Sequence, residues 1–472
     1  MLIGREHEIQ VLEEAYQAQE SQFIAVYGRR RVGKTYLIRE SLNSKITFQH
    51  SGYYGGKLSD ELFEFCSSLR EYGLTEFSRP KNWLEAFELL KELIRTSPHE
   101  KKVIFLDELS WMDTSGSDFL MALEGFWNGW ASARKDVLLI VCGSVTSWML
   151  NNIIHNKGGL YNRLSYRIHL QSFTLKECEE YIQSRNIIMN RHQILECYMI
   201  MGGIPYYWSF LQKGLSLPQN IDRLFFAKDA MLEDEFNHLY AALFKKPDAY
   251  IKIVAALGKK KAGMTREELL AATHLADSGN FTTKLEELES CGFIRRYQRY
   301  GMKERQAIFQ LIDNFTLFYY KFLENKPTDE HFWTNQINTP SVNAWCGIAF
   351  ERVCLQHVFQ MKQALGISGV LSESYSWACK ADSEKGIHGS QIDLMIVRKD
   401  QIINLCEMKF SRRTFTITQD VADEIRHKSL DFLSVTNSRY AIHPVMVTPY
   451  GISDNSYAGD IQKVITTKDL FQ

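Results

Sequence analysis

The chain lacks the features that would mark a secreted, membrane-spanning or strongly charged protein. Its 472 residues carry a net charge of −1, so the overall charge points neither to nucleic acid nor to a membrane surface. The nine cysteines include no CxxC pair and no cluster with histidines, which predicts buried thiols in a reducing compartment. The longest apolar run, near Val137–Cys142, is far too short to span a bilayer, and the charged N-terminus does not fit a signal peptide. We therefore expect a cytoplasmic protein with no membrane partner.

Short apolar strands alternate with helical patterns over residues 1–170. Strands that are apolar without alternation indicate a parallel sheet covered by helices on both faces. The predicted strands are 23–27, 46–49, 103–106 and 137–142, and the predicted helices are 9–20, 59–72, 83–95 and 117–131, with a further helix that begins at Lys34. The first third of the chain is therefore predicted to be an α/β domain.

A glycine-bearing loop joins the first predicted strand to the helix that begins at Lys34. It reads Gly28-Arg29-Arg30-Arg31-Val32-Gly33-Lys34-Thr35, which fits the pattern GxxxxGK[ST]. The glycines let backbone N–H groups turn inward around the β-phosphate of a nucleotide. The Lys34 ammonium would reach the β- and γ-phosphates, and the Thr35 hydroxyl would bind Mg²⁺. The loop therefore predicts a site for ATP and Mg²⁺.

Two acidic residues follow another apolar strand, Val103–Leu106. We expect this strand to neighbour the phosphate-loop strand, so that its tip presents Asp107 and Glu108 to the nucleotide. Asp107 would hold the hydration shell of Mg²⁺, and Glu108 would polarise the attacking water. A glutamate here favours hydrolysis over nucleotide storage. The alternative is a strand that merely ends in solvated acids.

This part of the chain resembles the AAA-type and STAND ATPases, and more closely the prokaryotic family called archaeal-type ATPases. The residues that carry the resemblance are Ile3-Gly4-Arg5-Glu6, the loop GRRRVGKT, the box Ile104–Leu109, Gly143-Ser144, Gly158–Arg163 and Gly202–Pro205. The resemblance implies that Ile3 and Gly4 pack against adenine and that Ser144 reads the γ-phosphate. It also implies that a helical lid folds back over the nucleotide at Gly203–Pro205.

The same resemblance implies that Arg163 touches the γ-phosphate, either within the chain or from a neighbouring copy. Arg29, Arg30, Arg31 and Arg167 compete for this role. A surface arginine with no such role is the alternative.

Residues 249–300 combine three short helical patterns with a hairpin, an order that suggests a winged helix-turn-helix. Thr265 followed by Glu268 predicts a capping box at the start of the second helix. Residues 245–310 hold thirteen Lys and Arg against eight Asp and Glu, and Lys259–Lys261 lie near the presumed recognition helix. DNA is therefore the expected partner of this segment.

The presumed recognition helix also carries Glu286, Glu287 and Glu289. Their charges would repel a phosphate backbone. A winged helix that serves only as a packing module is therefore the alternative.

A second candidate site involves two further predicted strands, 392–397 and 402–409. Asp393 lies on the first strand and Glu407 on the second, and Lys409 lies on the same face as Glu407. Mg²⁺ prefers carboxylate oxygens, so Asp393 and Glu407 would bind one or two ions while Lys409 stabilises developing negative charge. Charged residues on a solvent-facing edge are the alternative.

With Glu351, on a helix predicted over 347–362, these residues resemble the PD-(D/E)XK nuclease fold, which the same ATPase family has as its C-terminal domain. The resemblance implies a restriction-endonuclease-like α/β domain in which Glu351 completes the metal shell. It leaves open whether cleavage is retained or the domain is an inactive relic, and Gln391 settles neither side.

The predicted fold is multidomain α/β. The predicted parts are a P-loop ATPase core at 1–170, a helical lid at 171–245, a winged helix-turn-helix at 246–325, a linker at 326–340 and a nuclease-like domain at 341–472. The predicted function is ATP hydrolysis with Mg²⁺, coupled to a DNA-binding domain with nuclease character. The alternative is a nucleotide-gated regulatory scaffold whose nuclease-like domain is inactive. A homo-oligomer stays open, because the resemblance does not decide whose site Arg163 completes.

Overall fold

Two units, Met1–Ser172 and Phe173–Gln472, make up the computed structural model, which describes residues 2–144, 147–244, 246–303 and 306–472. Lys245, Glu304 and Arg305, which belong to the basic segment counted above, lie outside the described residues. Eight of the nine cysteines are buried and Cys379 is half-buried. Among the described residues, none of the helices combines the length and the apolar character needed to cross a membrane.

A five-stranded parallel sheet forms the centre of the first unit, with its strands in the order β2-β3-β4-β1-β5. Its strands are Gln22–Gly28 (β1), Ile46–Ser51 (β2), Lys102–Asp107 (β3), Val137–Ser144 (β4) and Tyr166–Leu170 (β5). Its helices are Glu6–Gln17 (α1), Lys34–Leu42 (α2), Leu58–Glu71 (α3), Trp83–Thr96 (α4), Leu109–Met112 (α5), Phe119–Gly129 (α6) and Ser147–Met149 (α7). β3 and β4 are buried along their whole length, as expected for a sheet covered on both faces. The predicted α/β class of this unit is confirmed.

The strand order corrects one expectation. β4 pairs with both β1 and β3, so the acidic strand β3 is not the immediate neighbour of the phosphate-loop strand β1. Parallel strands need long crossover connections, and the order along the chain therefore does not fix the order in the sheet. The carboxyl ends of β1 and β3 still meet at the same edge of the sheet, with one strand between them.

The second unit opens with helices and continues into a small three-stranded sheet. The opening helices are Leu175–Ser184 (α8), Arg191–Met201 (α9), Pro205–Trp208 (α10), Leu217–Ile221 (α11) and Glu235–Leu243 (α12). The elements that follow are Asp248–Gly258 (α13), Met264–Thr265 (β6), Arg266–Thr273 (α14), Gly279–Ser290 (α15), Ile294–Tyr297 (β7), Ile308–Leu311 (β8) and Asn314–Phe318 (α16), with the sheet order β6-β8-β7. The predicted capping box is confirmed, since Thr265 N donates to Glu268 Oε2 at 2.9 Å and Glu268 N donates to Thr265 Oγ1 at 3.2 Å.

The predicted linker at 326–340 is packed rather than extended. It contains the helix Phe332–Gln336 (α17), and the side chain of Trp333 is buried. Asp222 anchors this helix, because its carboxylate accepts hydrogen bonds from Trp333 N at 2.7 Å and from Thr334 N at 3.1 Å. The mostly polar segment thus packs through Trp333, whose ring contacts Phe318 and Trp345, and through the hydrogen bonds to Asp222.

A mixed five-stranded sheet ends the second unit, in the order β13-β12-β11-β10-β9. Its strands are Ser372–Ala378 (β9), Gln391–Arg398 (β10), Ile402–Met408 (β11), Ala441–Val447 (β12) and Lys463–Ile465 (β13). Its helices are Pro340–Gln356 (α18), Val358–Ala364 (α19), Gln419–Thr436 (α20) and Thr467–Leu470 (α21). The single helix predicted over 347–362 is thus divided at His357, whose ring Nε2 accepts a hydrogen bond from Leu175 N at 3.2 Å.

Candidate functional site

The phosphate loop begins where β1 ends, between β4 and β5. At Gly28 an added Cβ would lie 2.3 Å from the carbonyl oxygen of Leu170, so only glycine lets the two strands approach this closely. Gly33 has a φ of 93°, in the left-handed region that favours glycine, and Val32 before it is buried. The positions of both glycines in the motif therefore follow from the backbone that the loop adopts.

Lys34 and Thr35 open α2 and direct polar atoms into the loop. The buried Lys34 donates from Nζ to the carbonyl oxygens of Gly28 at 3.3 Å and Arg29 at 3.0 Å. Thr35 Oγ1 donates to Asp107 Oδ2 at 2.6 Å, and Asp107 is buried at the end of β3. The structure therefore brings together the loop cation, the hydroxyl and the strand-end carboxylate that the sequence predicted from separate segments.

Glu108 follows Asp107 with a φ of 45°, in the left-handed region that residues other than glycine rarely adopt. The pKa of its carboxyl is raised, mainly by burial and further by the negative charge of Asp107. The positive charges of Lys34 and Arg30 lower this pKa but do not cancel the increase. A carboxyl with a raised pKa beside a phosphate loop suits a group that accepts a proton from water.

Two further segments border the loop. Ser144 is buried at the end of β4, opposite Gly28 in the register of β1 and β4. Ile3-Gly4 is half-buried, and Arg5 Nη2 donates to the carbonyl oxygen of Gln171 at 2.7 Å, one residue past β5. Because β5 pairs with β1, this contact holds the N-terminal segment near the strand that carries the phosphate loop. The roles of Ser144 and Ile3-Gly4 towards a nucleotide stay predictions.

The five arginines considered for contact with the γ-phosphate do not form one cluster. Arg29 is buried in the loop, Arg31 has a left-handed φ of 71°, and the guanidinium of Arg30 lies 5.7 Å from the ring centre of Trp111. Arg163 is exposed in the turn before β5, and Arg167 is exposed on β5 itself. Among the side-chain contacts of the described residues, none ties Arg163 to the phosphate loop. Its predicted role is therefore left without a structural contact in the first unit.

In the second unit, Asp393 and Glu407 line one cavity of about 600 Å³ together with Lys409. β10 and β11 are antiparallel with Leu394 opposite Cys406, and extending this register by one residue sets Asp393 opposite Glu407. Residues directly opposite each other in such a pair share a face of the sheet. A register irregularity in β10 affects its pairing with β9 but not the paired residues of β11.

Glu407 is held between two cations. Its Oε1 lies 2.7 Å from Lys409 Nζ, and its Oε2 lies 2.8 Å from Lys428 Nζ. Lys428 Nζ also lies 2.6 Å from Glu424 Oε1. Burial lowers the pKa of Lys428, but the ion pairs with Glu407 and Glu424 outweigh burial and raise it overall. The cavity wall therefore alternates carboxylates and ammonium groups.

Glu351 lies next to the cavity but not in its lining. It is buried on α18, its Oε1 is 2.6 Å from Arg352 Nη1, and its Oε2 is 2.7 Å from Lys261 Nζ. It is not among the described residues that line the cavity. In the parts of the chain that the structure describes, no group of three or more His, Cys, Asp or Glu side chains is arranged to hold a metal ion. Asp393 and Glu407 are thus the two carboxylates of the predicted set that share the cavity.

Sequence reasoning missed much of the cavity wall. Lys428 and Glu424 come from α20, and His388 stacks on His427 with ring centres 3.8 Å apart. Behind them the buried Asp431 lies 3.3 Å from His388 Nδ1. The available signal was the i, i+4 spacing of Glu424 and Lys428, but such pairs are common on surface helices and single out no site.

Comparisons with known proteins find similarity that includes the first unit and extends beyond it. Residues 2–210 match a protein family described as an ATPase domain predominantly from Archaea. An uncharacterized protein of Methanocaldococcus jannaschii is 24% identical over 377 residues, which cover 77% of this chain and 78% of that protein. An uncharacterized ATP-binding protein of the same organism is 42% identical over 45 residues, or 10% of this chain and 76% of that protein. A Walker-type ATPase of Pyrococcus abyssi aligns with a TM-score of 0.46 and 16% identity, over 68% of this chain and 96% of the other. The matched residues are thus similar to this family of ATPase domains.

Proposed function

We propose that the first unit binds and hydrolyses ATP with Mg²⁺. The observation that carries the proposal is the 2.6 Å hydrogen bond between Thr35 Oγ1 and Asp107 Oδ2, because it joins the phosphate loop to the acidic strand end. Both atoms are hard oxygen donors of the kind that Mg²⁺ prefers, so the residues fit this ion. The match to an ATPase domain and the short stretch shared with an ATP-binding protein support the same assignment.

Each residue of the site has one task in this mechanism. Lys34 binds the β- and γ-phosphates, and Ser144, at the end of β4, senses the terminal phosphate. Glu108 orients the attacking water and accepts its proton, a role that its raised pKa favours. Thr35 and Asp107 would hold Mg²⁺, which when bound would supply positive charge to neutralise the phosphate oxygens.

The test of ATP binding is the variant Lys34→Ala. It removes the compact ammonium that the loop directs at the phosphates, so we expect ATP binding to be lost or severely weakened. The measurement is calorimetric titration with ATP and Mg²⁺. Lys45→Ala serves as the control, since Lys45 lies beyond α2 and its ammonium lies 4.3 Å from the ring centre of Tyr16. Equal ATP affinity in the wild type and in Lys34→Ala would refute the assignment.

A second function is proposed for the second unit, namely metal-dependent cleavage of DNA. The observation in its favour is that Asp393 and Glu407, from adjacent strands, line one cavity with Lys409. Their carboxylates fit a divalent cation, which would polarise a phosphodiester oxygen when bound. Lys409 and Lys428 hold Glu407 in place and would balance the charge that develops on the phosphate.

The DNA partner is proposed from the segment between α13 and β8. Its order of helix, strand, two helices and two strands accords with a winged helix. The glutamates of α15 would repel a phosphate backbone, but Glu287 is buried and accepts a hydrogen bond from Tyr250. Its charge therefore does not lie on the outer face of the helix. Glu286 and Glu289 remain exposed on this helix.

The test of cleavage is plasmid nicking with Mg²⁺ or Mn²⁺, with and without ATP. Asp393→Ala should eliminate nicking, because the cation loses one of its two carboxylates. Asp400→Ala is the matched control, since Asp400 lies in the turn between β10 and β11 and pairs with Arg398 instead. If the wild type does not nick DNA, or if Asp393→Ala nicks as the wild type does, the regulatory scaffold is the better account.

A further inference from the structure

The turn that follows α13 is fixed by hydrogen bonds to its backbone. Arg352 Nη2 donates to the carbonyl oxygen of Lys261 at 2.6 Å, and Gln310 Nε2 donates to the same oxygen at 2.8 Å. Tyr297 OH donates to the carbonyl oxygen of Ala262 at 2.6 Å. Three side chains from α18, β8 and β7 therefore determine where this turn lies.

The fixed turn forms part of the wall of the carboxylate cavity. Lys261 and Ala262 line the cavity together with Asp393 and Glu407. The Lys261 side chain is 46% exposed, and its ammonium pairs with Glu351. A residue of the helical and three-stranded segment thus contributes a cation to a site that the mixed sheet carries.

The charges around Glu351 do not balance. Arg352 and Lys261 both pair with this one buried carboxylate, and Arg295 also interacts with it, which leaves an excess of positive charge at this corner of the cavity. The cavity lining also carries Asp393, Glu407 and Glu424, which its lysines only partly offset. A phosphodiester that approached two metal-binding carboxylates would need a positive group on its other side, and this corner supplies one.

We propose that Lys261 binds a phosphate of a nucleic-acid strand in the cavity, and that Glu351 is a positioning residue for Lys261 rather than a metal ligand. The proposal rests on the proposed nuclease function of the second unit. Both Glu351 and Glu407 pair with two cations, but only Glu407 lines the cavity, so Glu351 is placed to hold the Lys261 ammonium rather than to reach a metal ion there. Arg352 keeps Glu351 paired whenever Lys261 turns to a phosphate, so the exchange leaves no buried charge alone.

The first test measures binding of a duplex oligonucleotide by fluorescence anisotropy at several salt concentrations. Lys261→Ala should weaken binding and reduce the log–log salt slope by about 0.9, the value for one lost phosphate contact on duplex DNA. Lys261→Arg should restore most of the binding. The matched control is Lys326→Ala, because Lys326 lies outside the basic segment, pairs with Glu233 and is not among the described residues that line the cavity. An equal loss in Lys326→Ala, or an unchanged slope in Lys261→Ala, overturns the proposal.

A competition with inorganic phosphate distinguishes a nucleic-acid contact from a general anion site. Millimolar phosphate should displace little oligonucleotide from the wild type, because a strand makes several contacts at once. If phosphate alone binds with the same dependence on Lys261 as the oligonucleotide does, the corner is an anion site and the proposal fails.

The second test addresses Glu351 through Mn²⁺ binding followed by electron paramagnetic resonance. Glu351→Gln should bind Mn²⁺ as the wild type does, whereas Asp393→Ala should lose it. If Glu351→Gln loses Mn²⁺ as well, Glu351 is a metal ligand and the proposal is refuted. Both tests measure binding rather than cleavage, so they decide the roles of Lys261 and Glu351 even if the wild type fails to nick DNA.

Discussion

In the phosphate loop, some residues of the motif supply polar atoms for a ligand, and others are needed for the conformation and packing of the backbone. Lys34 and Thr35 supply the polar atoms, and Thr35 reaches Asp107 across the intervening strand. Gly28 is required for a different reason, because only a residue without a side chain lets β1 approach the Leu170 carbonyl on β5. The first role concerns ligand binding and the second concerns the stability of the sheet.

Gly28→Ala should therefore destabilise the first unit itself. The added Cβ would meet the carbonyl oxygen of Leu170 at 2.3 Å, and relief of the clash would cost roughly 1–3 kcal/mol. Thermal unfolding followed by circular dichroism measures the effect. The control is Gly125→Ala on α6, where an added Cβ meets nothing within 4 Å and should stabilise the helix by about 0.5–1 kcal/mol. A Gly28→Ala protein as stable as the wild type would contradict the packing argument.

At the residue scale, the sequence predicted that Thr35 and Asp107 would meet beside the phosphate loop, and it predicted the lining of the cavity in part. GxxxxGK[ST] is a local pattern, so its geometry follows from neighbouring residues. Asp393, Glu407 and Lys409 were found because strand alternation is also local. Lys428 was missed, and Lys261 was predicted only as part of the basic segment, because both come from elements distant in sequence and only the packed structure brings them to the cavity.

The secondary-structure elements were easier to predict than their order and their ends. β3 and β4 read as apolar runs because both faces are buried, and the structure has both strands. The sequence does not indicate that β4 lies between β1 and β3, because the order of parallel strands depends on how the crossover connections run. The packed helix α17 and the break at His357 depend in the same way on partners far along the chain, Asp222 and Leu175.

The junction of α18 and α19 gives a prediction about pH. Burial lowers the pKa of His357 to about 4, opposed by its hydrogen bond to the carbonyl oxygen of Val353, so the ring is neutral in the folded protein at neutral pH. The unfolded chain binds a proton near pH 6.5, and the folded state does so only near pH 4. The second unit should therefore lose up to about 3 kcal/mol of stability as the pH falls through this window.

The variant His357→Gln isolates this contribution, because its side chain does not titrate. Urea unfolding at pH 7 and at pH 4.5 is the measurement. Between the two values the wild type should lose more stability than the variant does, since only the wild type must keep His357 neutral. Equal losses of stability in the wild type and the variant would show that a group other than His357 causes the loss of stability at low pH.

The whole molecule holds its two candidate sites in separate units. The ATP site lies within Met1–Ser172, and the carboxylate cavity lies within Phe173–Gln472. Each site is built from residues of its own unit, so a substitution in one should leave the chemistry of the other intact. The account therefore predicts that hydrolysis of ATP depends on Glu108 and is independent of Asp393.

The most direct test of this claim is the steady-state rate of ATP hydrolysis in the wild type, Glu108→Gln and Asp393→Ala, with Mg²⁺ present. Glu108→Gln keeps the shape of the side chain and loses only the charge that accepts the proton. We predict that it binds ATP normally and hydrolyses it about 10²–10⁴-fold more slowly. Asp393→Ala should hydrolyse ATP at the wild-type rate. Hydrolysis at the wild-type rate by Glu108→Gln would contradict the assignment of Glu108 and with it the account of the first unit.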